Sequence, residues 1–296
     1  MVKRVLGILT VLFVALAAST VAPAADGVVL KYTHSAGDRA VYDYGLSARL
    51  QLKEEGGQSA RVEMSLQMKC LAQYLGDTSS GDWGILGHIV SGTAEAKSED
   101  QEQSVEIGEV KVRYIVSPTG EIQSHRLVSG DPPVLNFGGA VLVLGPDDAF
   151  MLAGVAIFPD QPLKKGESWT GTATVPNLLE GDSQEVPFKS VFLGESTFAG
   201  SKCYQIKTAS THSFEGSIPS PDGSGALDVV MTAVGEATWL FDPARGVIVS
   251  IEGRDNVKTV ITMTQTGQKL GTITSAGVVN TKSVLKEFNG KAVSAP

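Results

Sequence analysis

The sequence predicts a mainly β protein: two related antiparallel sheet lobes, each a candidate half-barrel, joined by an apolar, partly helical linker. Three observations carry this expectation. Long stretches alternate strictly between apolar and polar residues. The same strand and turn punctuation occurs twice. Thr, Val, Ser and Gly are abundant, with 33 glycines in 296 residues, whereas helical periodicity is scarce.

The chain opens MVKRVLGILTVLFVALAASTVAPAADG. Lys3 and Arg4 precede an apolar run, and small residues ending Ala22-Pro23-Ala24 follow it, which is the layout of a secretory signal peptide over 1–24. The run is short for a membrane span of about 20 residues. No cysteine lies near the cleavage site to take a lipid, and no later segment reads as a span, so the expected location is secreted or periplasmic, with no membrane span after cleavage.

The first lobe, 25–130, contains the clearest strand. From Arg61 to Ala72 the residues Val62, Met64, Leu66, Met68, Cys70 and Ala72 fall on one side and Arg61, Glu63, Ser65, Gln67 and Lys69 on the other. Period two with one polar face means a half-buried antiparallel strand. Val110, Val112, Tyr114 and Val116 repeat the pattern, and Val41 to Leu52 reads as a further strand. The acidic stretch Glu95 to Glu102 reads as a solvated loop.

Residues 131–160 form the linker. No charged residue occurs from Val134 to Gly145, so the segment must be covered. Asp147 and Asp148 after Pro146 are placed to cap a short helix through Phe150, Met151, Leu152, Val155 and Ala156. The segment reads either as a linker packed between sheets or as a lid over an apolar cavity.

The second lobe, 161–296, carries expected strands at Phe188 to Leu193, Tyr204 to Thr208, Val229 to Phe241, Val247 to Glu252 and Val257 to Thr264. Its punctuation parallels the first lobe in order. His34-Ser35-Ala36-Gly37-Asp38 matches Leu163-Lys164-Lys165-Gly166-Glu167, and Tyr74-Leu75-Gly76-Asp77 matches Phe192-Leu193-Gly194-Glu195. The turn Ser117-Pro118-Thr119-Gly120 matches Asp242-Pro243-Ala244-Arg245-Gly246. Gly37 to Gly108 spans 71 residues and Gly166 to Gly235 spans 69. A solenoid unit is about 20 to 50 residues, so the longer period here points to a duplicated domain or half-domain.

FPDQPLKKGESW, Phe158 to Trp169, with GEATWLFDPARG, Gly235 to Gly246, resembles an uncharacterised family of secreted bacterial β-rich proteins. The closing hairpin also resembles, more loosely, those of periplasmic lipoprotein-carrier half-barrels. The resemblance implies export and a β fold, with no activity to carry over, and the looser one implies a sheet folded around acyl chains.

Catalytic motifs are missing. The four histidines, His34, His88, His125 and His212, form no metal pair, and no C-x-x-C, G-x-S-x-G, P-loop or G-x-G-x-x-G occurs. His34, Ser35 and Asp38 are neighbours in one turn, whereas a triad converges from separate segments. The expectations are therefore no enzyme, no metal and no cofactor. The formal net charge of −8 becomes more negative when Lys3 and Arg4 are removed, which argues against nucleic acid. In an oxidising compartment a disulfide between Cys70 and Cys203 is permitted, and a buried free thiol at Cys70 is equally natural.

Three functions stay open. The first is a structural or interaction role in the cell envelope, with an envelope protein as partner. The second is a carrier or binder of a lipid or other apolar or amphiphilic small molecule, lined by Met64, Met68, Phe137, Val141, Phe150 and Met151. A hydrolase with a dispersed site is the third and least supported.

Overall fold

A computed structural model describes residues 27–57, 59–99, 102–130, 134–137, 140–143, 156–176, 183–219, 225–265 and 268–293. The protein is mainly β. Fifteen strands occur among these residues: β1 Arg39–Glu54, β2 Ser59–Asp77, β3 Trp83–Lys97, β4 Glu102–Ile107, β5 Val110–Val116, β6 Ile122–Ser129, β7 Val134–Phe137, β8 Ala140–Val143, β9 Ser168–Pro176, β10 Ser183–Phe198, β11 Ser201–Pro219, β12 Gly225–Asp242, β13 Val247–Gln265, β14 Gln268–Phe288 and β15 Lys291–Ala292. Among the described residues no helix is long and apolar enough to cross a membrane.

Thirteen of the strands form one sheet along the path β6-β5-β3-β2-β1-β14-β13-β12-β11-β10-β9, with β4 beside β3 and β15 beside β14. The sheet is not closed: β6 and β9 are its edges. The strands of 25–130 and those of 161–296 lie in this one sheet. Their seam is the antiparallel pair of β1 and β14, running from Ala40 opposite Phe288 to Glu54 opposite Ile273. The strands are long, and the 21 residues of β14 extend about 70 Å at roughly 3.3 Å per residue.

Several expectations need correction. The segments Val247 to Glu252 and Val257 to Thr264 are one continuous strand, because Gly253 to Asn256 stay in register with β12 on one side and β14 on the other. The acidic stretch is not all loop: Glu95 to Lys97 end β3, Glu102 opens β4, and Lys97 lies 3.8 Å from Glu102 across the hairpin. In the linker, Val134–Phe137 and Ala140–Val143 pair as an antiparallel hairpin. Branched and apolar residues either side of Gly138-Gly139 favour that outcome. The expected helix at 147–156 falls almost wholly outside the described residues.

The two matched turns share their hydrogen bonds. Gly37 N–H donates to the Tyr74 carbonyl at 2.8 Å and Gly166 N–H to the Phe192 carbonyl at 2.7 Å. Tyr74 N–H returns to Asp38, and Phe192 N–H to Glu167, each at 2.9 Å. The carboxylates close each turn in the same manner, Asp38 accepting from Ser35 N–H at 2.8 Å and Glu167 from Lys164 N–H at 2.7 Å. A register shift follows in both, at Tyr74/Gly76 and at Phe192/Gly194.

Apolar side chains gather in two clusters. One is built on the first lobe's strands, around Tyr42, Leu66, Met68, Ile85 and Tyr114, and also takes in Cys203, Val249 and Leu285. Cys70 and Cys203 are both free and buried, within this one cluster. The other joins Leu163, Phe188, Phe192, Ile206 and Phe241 to Leu30, Tyr32 and Phe158. Tyr32 stacks on Phe158 at 4.9 Å and meets Phe241 edge-on at 5.6 Å.

The segment from Ala156 to Leu163 acts as a strap. Val28 and Leu163 form an isolated antiparallel bridge. The Ile157 carbonyl accepts from Trp169 Nε1 on edge strand β9 at 3.1 Å, and Phe158 N–H donates to Thr119 in the β5–β6 turn at 2.8 Å. Consecutive residues thus reach one edge of the sheet and the turn beside the other. At this end the sheet is drawn round on itself.

Candidate functional site

Cross-strand register carries one face through the whole sheet. On β1 and β2, Tyr44 pairs with Met68, Leu46 with Leu66, Ala48 with Met64 and Leu50 with Val62. Directly opposite residues share a face, so the same face continues through Val279 on β14 and Val257 on β13 to Ala233 on β12 and His212 on β11. The other face carries Asp43, Arg49, Glu252, Lys258 and Lys282. A single apolar face on a single sheet must be covered by something.

Near the strap the cover is the protein itself, and Phe158, Phe192, Ile206 and Phe241 are buried there. Towards the far ends of the strands the same face opens. Leu227, Met231, Val257, Ile261, Met263 and Ile273 are only half-buried, although Phe214 and Val229 between them are buried. Leu50, Leu52, Val62 and Met64 continue this half-covered area across the seam.

Two further depressions occur. One of about 440 Å³ lies at the β9 edge, lined by Phe158, Pro159, Trp169, Gly171 and Phe188 among others. Another of about 550 Å³ crosses the seam among Asp43, Gln67, Glu252, Lys282 and Lys286. The charges in the second pair with one another, Lys282 with Glu252 at 2.8 Å and Lys286 with Asp43 at 3.5 Å.

Polar side chains interrupt the apolar face along one band. Ser190, Thr208, Ala237, Gly253 and Thr281 form one cross-strand row, and Ser210, Gly235 and Asp255 the next. His212 stands in the row beyond, opposite Ala233. Ser190 and Thr208 hydrogen-bond through their hydroxyls at 2.7 Å. The Asp255 carboxylate lies over Gly235, where an added Cβ would stand 1.6 Å from Oδ1. Burial raises the Asp255 pKa and His212 opposes that shift. Burial likewise lowers the His212 pKa, with Asp255 opposing. His212 Nδ1 is buried without a hydrogen-bond partner.

The residues expected to line a cavity separate. Met64 and Met68 lie on the same face of β2, Met68 buried in the first cluster and Met64 half-buried where the face opens. Phe137 and Val141 belong to the β7–β8 hairpin, which forms a sheet of its own. Phe150 and Met151 lie outside the described residues. The half-covered residues of β12 to β14 were missed because Gly, Thr and Ser interleave with them and blur the alternation. Among the described residues no group of three or more His, Cys, Asp or Glu side chains is placed to hold a metal ion.

No protein-family model matches the chain, and no curated protein matches it in sequence. Among solved structures it is similar to lipovitellin, in a structure described by its lipid-protein interactions, at 14% identity and a TM-score of 0.44 over 89% of this chain and 26% of that one. The chain thus spans about a quarter of the lipovitellin chain. It is also similar to a DUF1329 family protein from Desulfovibrio piger, at 10% identity and a TM-score of 0.14 over 82% of this chain and 85% of that one.

Proposed function

We propose that the protein is an exported, non-enzymatic binder of an apolar or amphiphilic ligand, held on the half-covered part of its sheet. One observation carries the reading: the apolar face, buried beneath the strap, continues only half-buried over Met231, Ile261, Met263 and Ile273. Apolar area left in contact with water is unfavourable at about 25 cal/mol per Å², and contiguous apolar area of that kind serves as a binding surface. Export rests on the leader-like 1–24, and a duplicated origin on the shared turn geometry.

Native mass spectrometry with lipid extraction, on protein purified from its own compartment, tests the reading. A co-purifying apolar molecule near one per chain is expected, with at least a tenfold loss of occupancy in Met231→Lys and Ile261→Lys proteins that retain their strand circular-dichroism signal. An apo mass, together with no uptake of added long-chain amphiphiles, would sink it.

A second reading, an envelope interaction, is favoured by edge strand β6, where Leu127 and Val128 are exposed and one row of backbone groups is unpaired within the sheet. Such edges recruit a partner strand. Crosslinking from a photoreactive residue at position 128 in intact cells would capture a discrete partner if this reading holds and none if it fails.

A further inference from the structure

Resting on the binding reading, the geometry points to a head-group site within the apolar face: the Asp255 carboxylate, with His212 beside it, receives the amine of a single-chain cationic amphiphile. Between the row of Trp239 and the row of Ile261, His212 and Asp255 are the two ionisable side chains on this face of β9 to β14 among the described residues. Every other described charge on those stretches lies on the opposite face, as Arg254 and Lys258 do.

The floor beneath them is shallow by composition. Gly235, Ala237, Gly253 and Ala233 supply little or no side chain across β12 and β13, and the room over the two glycines is taken by the Asp255 carboxylate and the Thr281 hydroxyl. No hydrogen bond or ion pair from a described residue reaches Asp255, and the titratable group whose charge acts on it is His212. A part-buried carboxylate without a cation is unfavourable. An ammonium group restores the missing charge and donates up to three hydrogen bonds, the Asp255 carboxylate being its acceptor on this face.

The surroundings suit the rest of such a ligand. Beyond His212 the face turns apolar again through Phe214, Met231 and Ile261, along which an alkyl chain lies with its head at Asp255. Overall charge agrees, since a chain of net charge −8 attracts cations and repels anionic head groups. A carboxylate-headed amphiphile would place like charges together at Asp255.

Calorimetric titration of the whole protein with n-dodecylamine, 1-dodecanol and dodecanoate, below their aggregation limits at pH 7, tests the assignment. The amine is expected to bind at least tenfold more tightly than the alcohol, and dodecanoate most weakly. In Asp255→Asn the amine should fall to the alcohol's affinity while the alcohol stays within about twofold of its wild-type value. Equal binding of all three by the wild type would overturn the head-group site and leave the apolar surface standing. An amine preference that survives Asp255→Asn would do the same. Absence of binding by all three would overturn both. The wild-type selectivity decides the matter even where the variant fails to fold.

Discussion

The Tyr32 hydroxyl donates to the Ala156 carbonyl at 3.0 Å and accepts from the Ala156 N–H at 2.7 Å, joining residues 124 apart in the chain. This two-way contact anchors the N-terminal segment to the beginning of the strap, and burial raises the phenol's pKa, keeping it protonated as a donor. Tyr32→Phe leaves both backbone groups of Ala156 without their partner, and an unsatisfied buried group costs about 1–3 kcal/mol. The denaturation midpoint should drop by the equivalent of about 2 kcal/mol with little change in slope.

Asp242 is the anchor of the β12–β13 turn. It is 1% exposed, and its Oδ1 accepts from Ala244 N–H at 2.9 Å and Arg245 N–H at 3.0 Å, while Oδ2 pairs with the Arg245 guanidinium. Asp242→Ala removes all three contacts and is expected to cost about 2–4 kcal/mol. Asp242→Asn retains an amide oxygen for the two N–H groups and should cost less than half as much. Equal losses in the two variants, measured by urea unfolding, would refute the turn role.

His34 gives stability a pH dependence. Its ring stacks on Tyr74 at 3.5 Å and meets Trp83 edge-on at 4.7 Å. Burial pushes its pKa down to about 3, with Asp38 opposing, and Nδ1 has no hydrogen-bond partner. The unfolded chain binds this proton near pH 6.5 and the folded chain only near 3. The contribution is therefore complete above about 6.5 and declines as pH falls through that window. Between pH 7 and 5, where ordinary carboxylates remain ionised, His34 should contribute a loss of at most about 1.4 kcal/mol per pH unit, His212 acts in the same direction, and His34→Phe should show a flatter profile.

The cysteines offer a chemical check. Burial pushes the Cys70 thiol up to about 12 and the Cys203 thiol up to about 11, and thiolate is the reactive form. Native protein should react with a thiol reagent at a small fraction of the rate of a free cysteine. In denaturant without reductant two equivalents should appear. None after denaturation would mean a bridge.

Much of the fold was legible locally. Val62 to Ala72 alternate because successive side chains of an extended L-chain point to opposite sides, and β2 places them as the pattern implies. The punctuating Gly37, Gly166, Pro118 and Pro243 occupy turns for equally local reasons of backbone conformation. By contrast β14 was not legible. Its centre, Thr274 to Asn280, is rich in small and polar residues without a clear apolar face, and it becomes a strand through pairing with β1 at the opposite end of the chain.

The sequence by itself determined the strand class, the turn positions and which side of several strands would be apolar, since each depends on stereochemistry within a few residues. Tertiary structure alone decided that the strands of 25–130 and 161–296 share one sheet, that Met68 enters the core while Met64 stays half-covered, and that His212 and Asp255 flank Gly235. Those outcomes depend on register and curvature. Both are set by contacts summed over strands far apart in the chain, a quantity that no local window of residues contains.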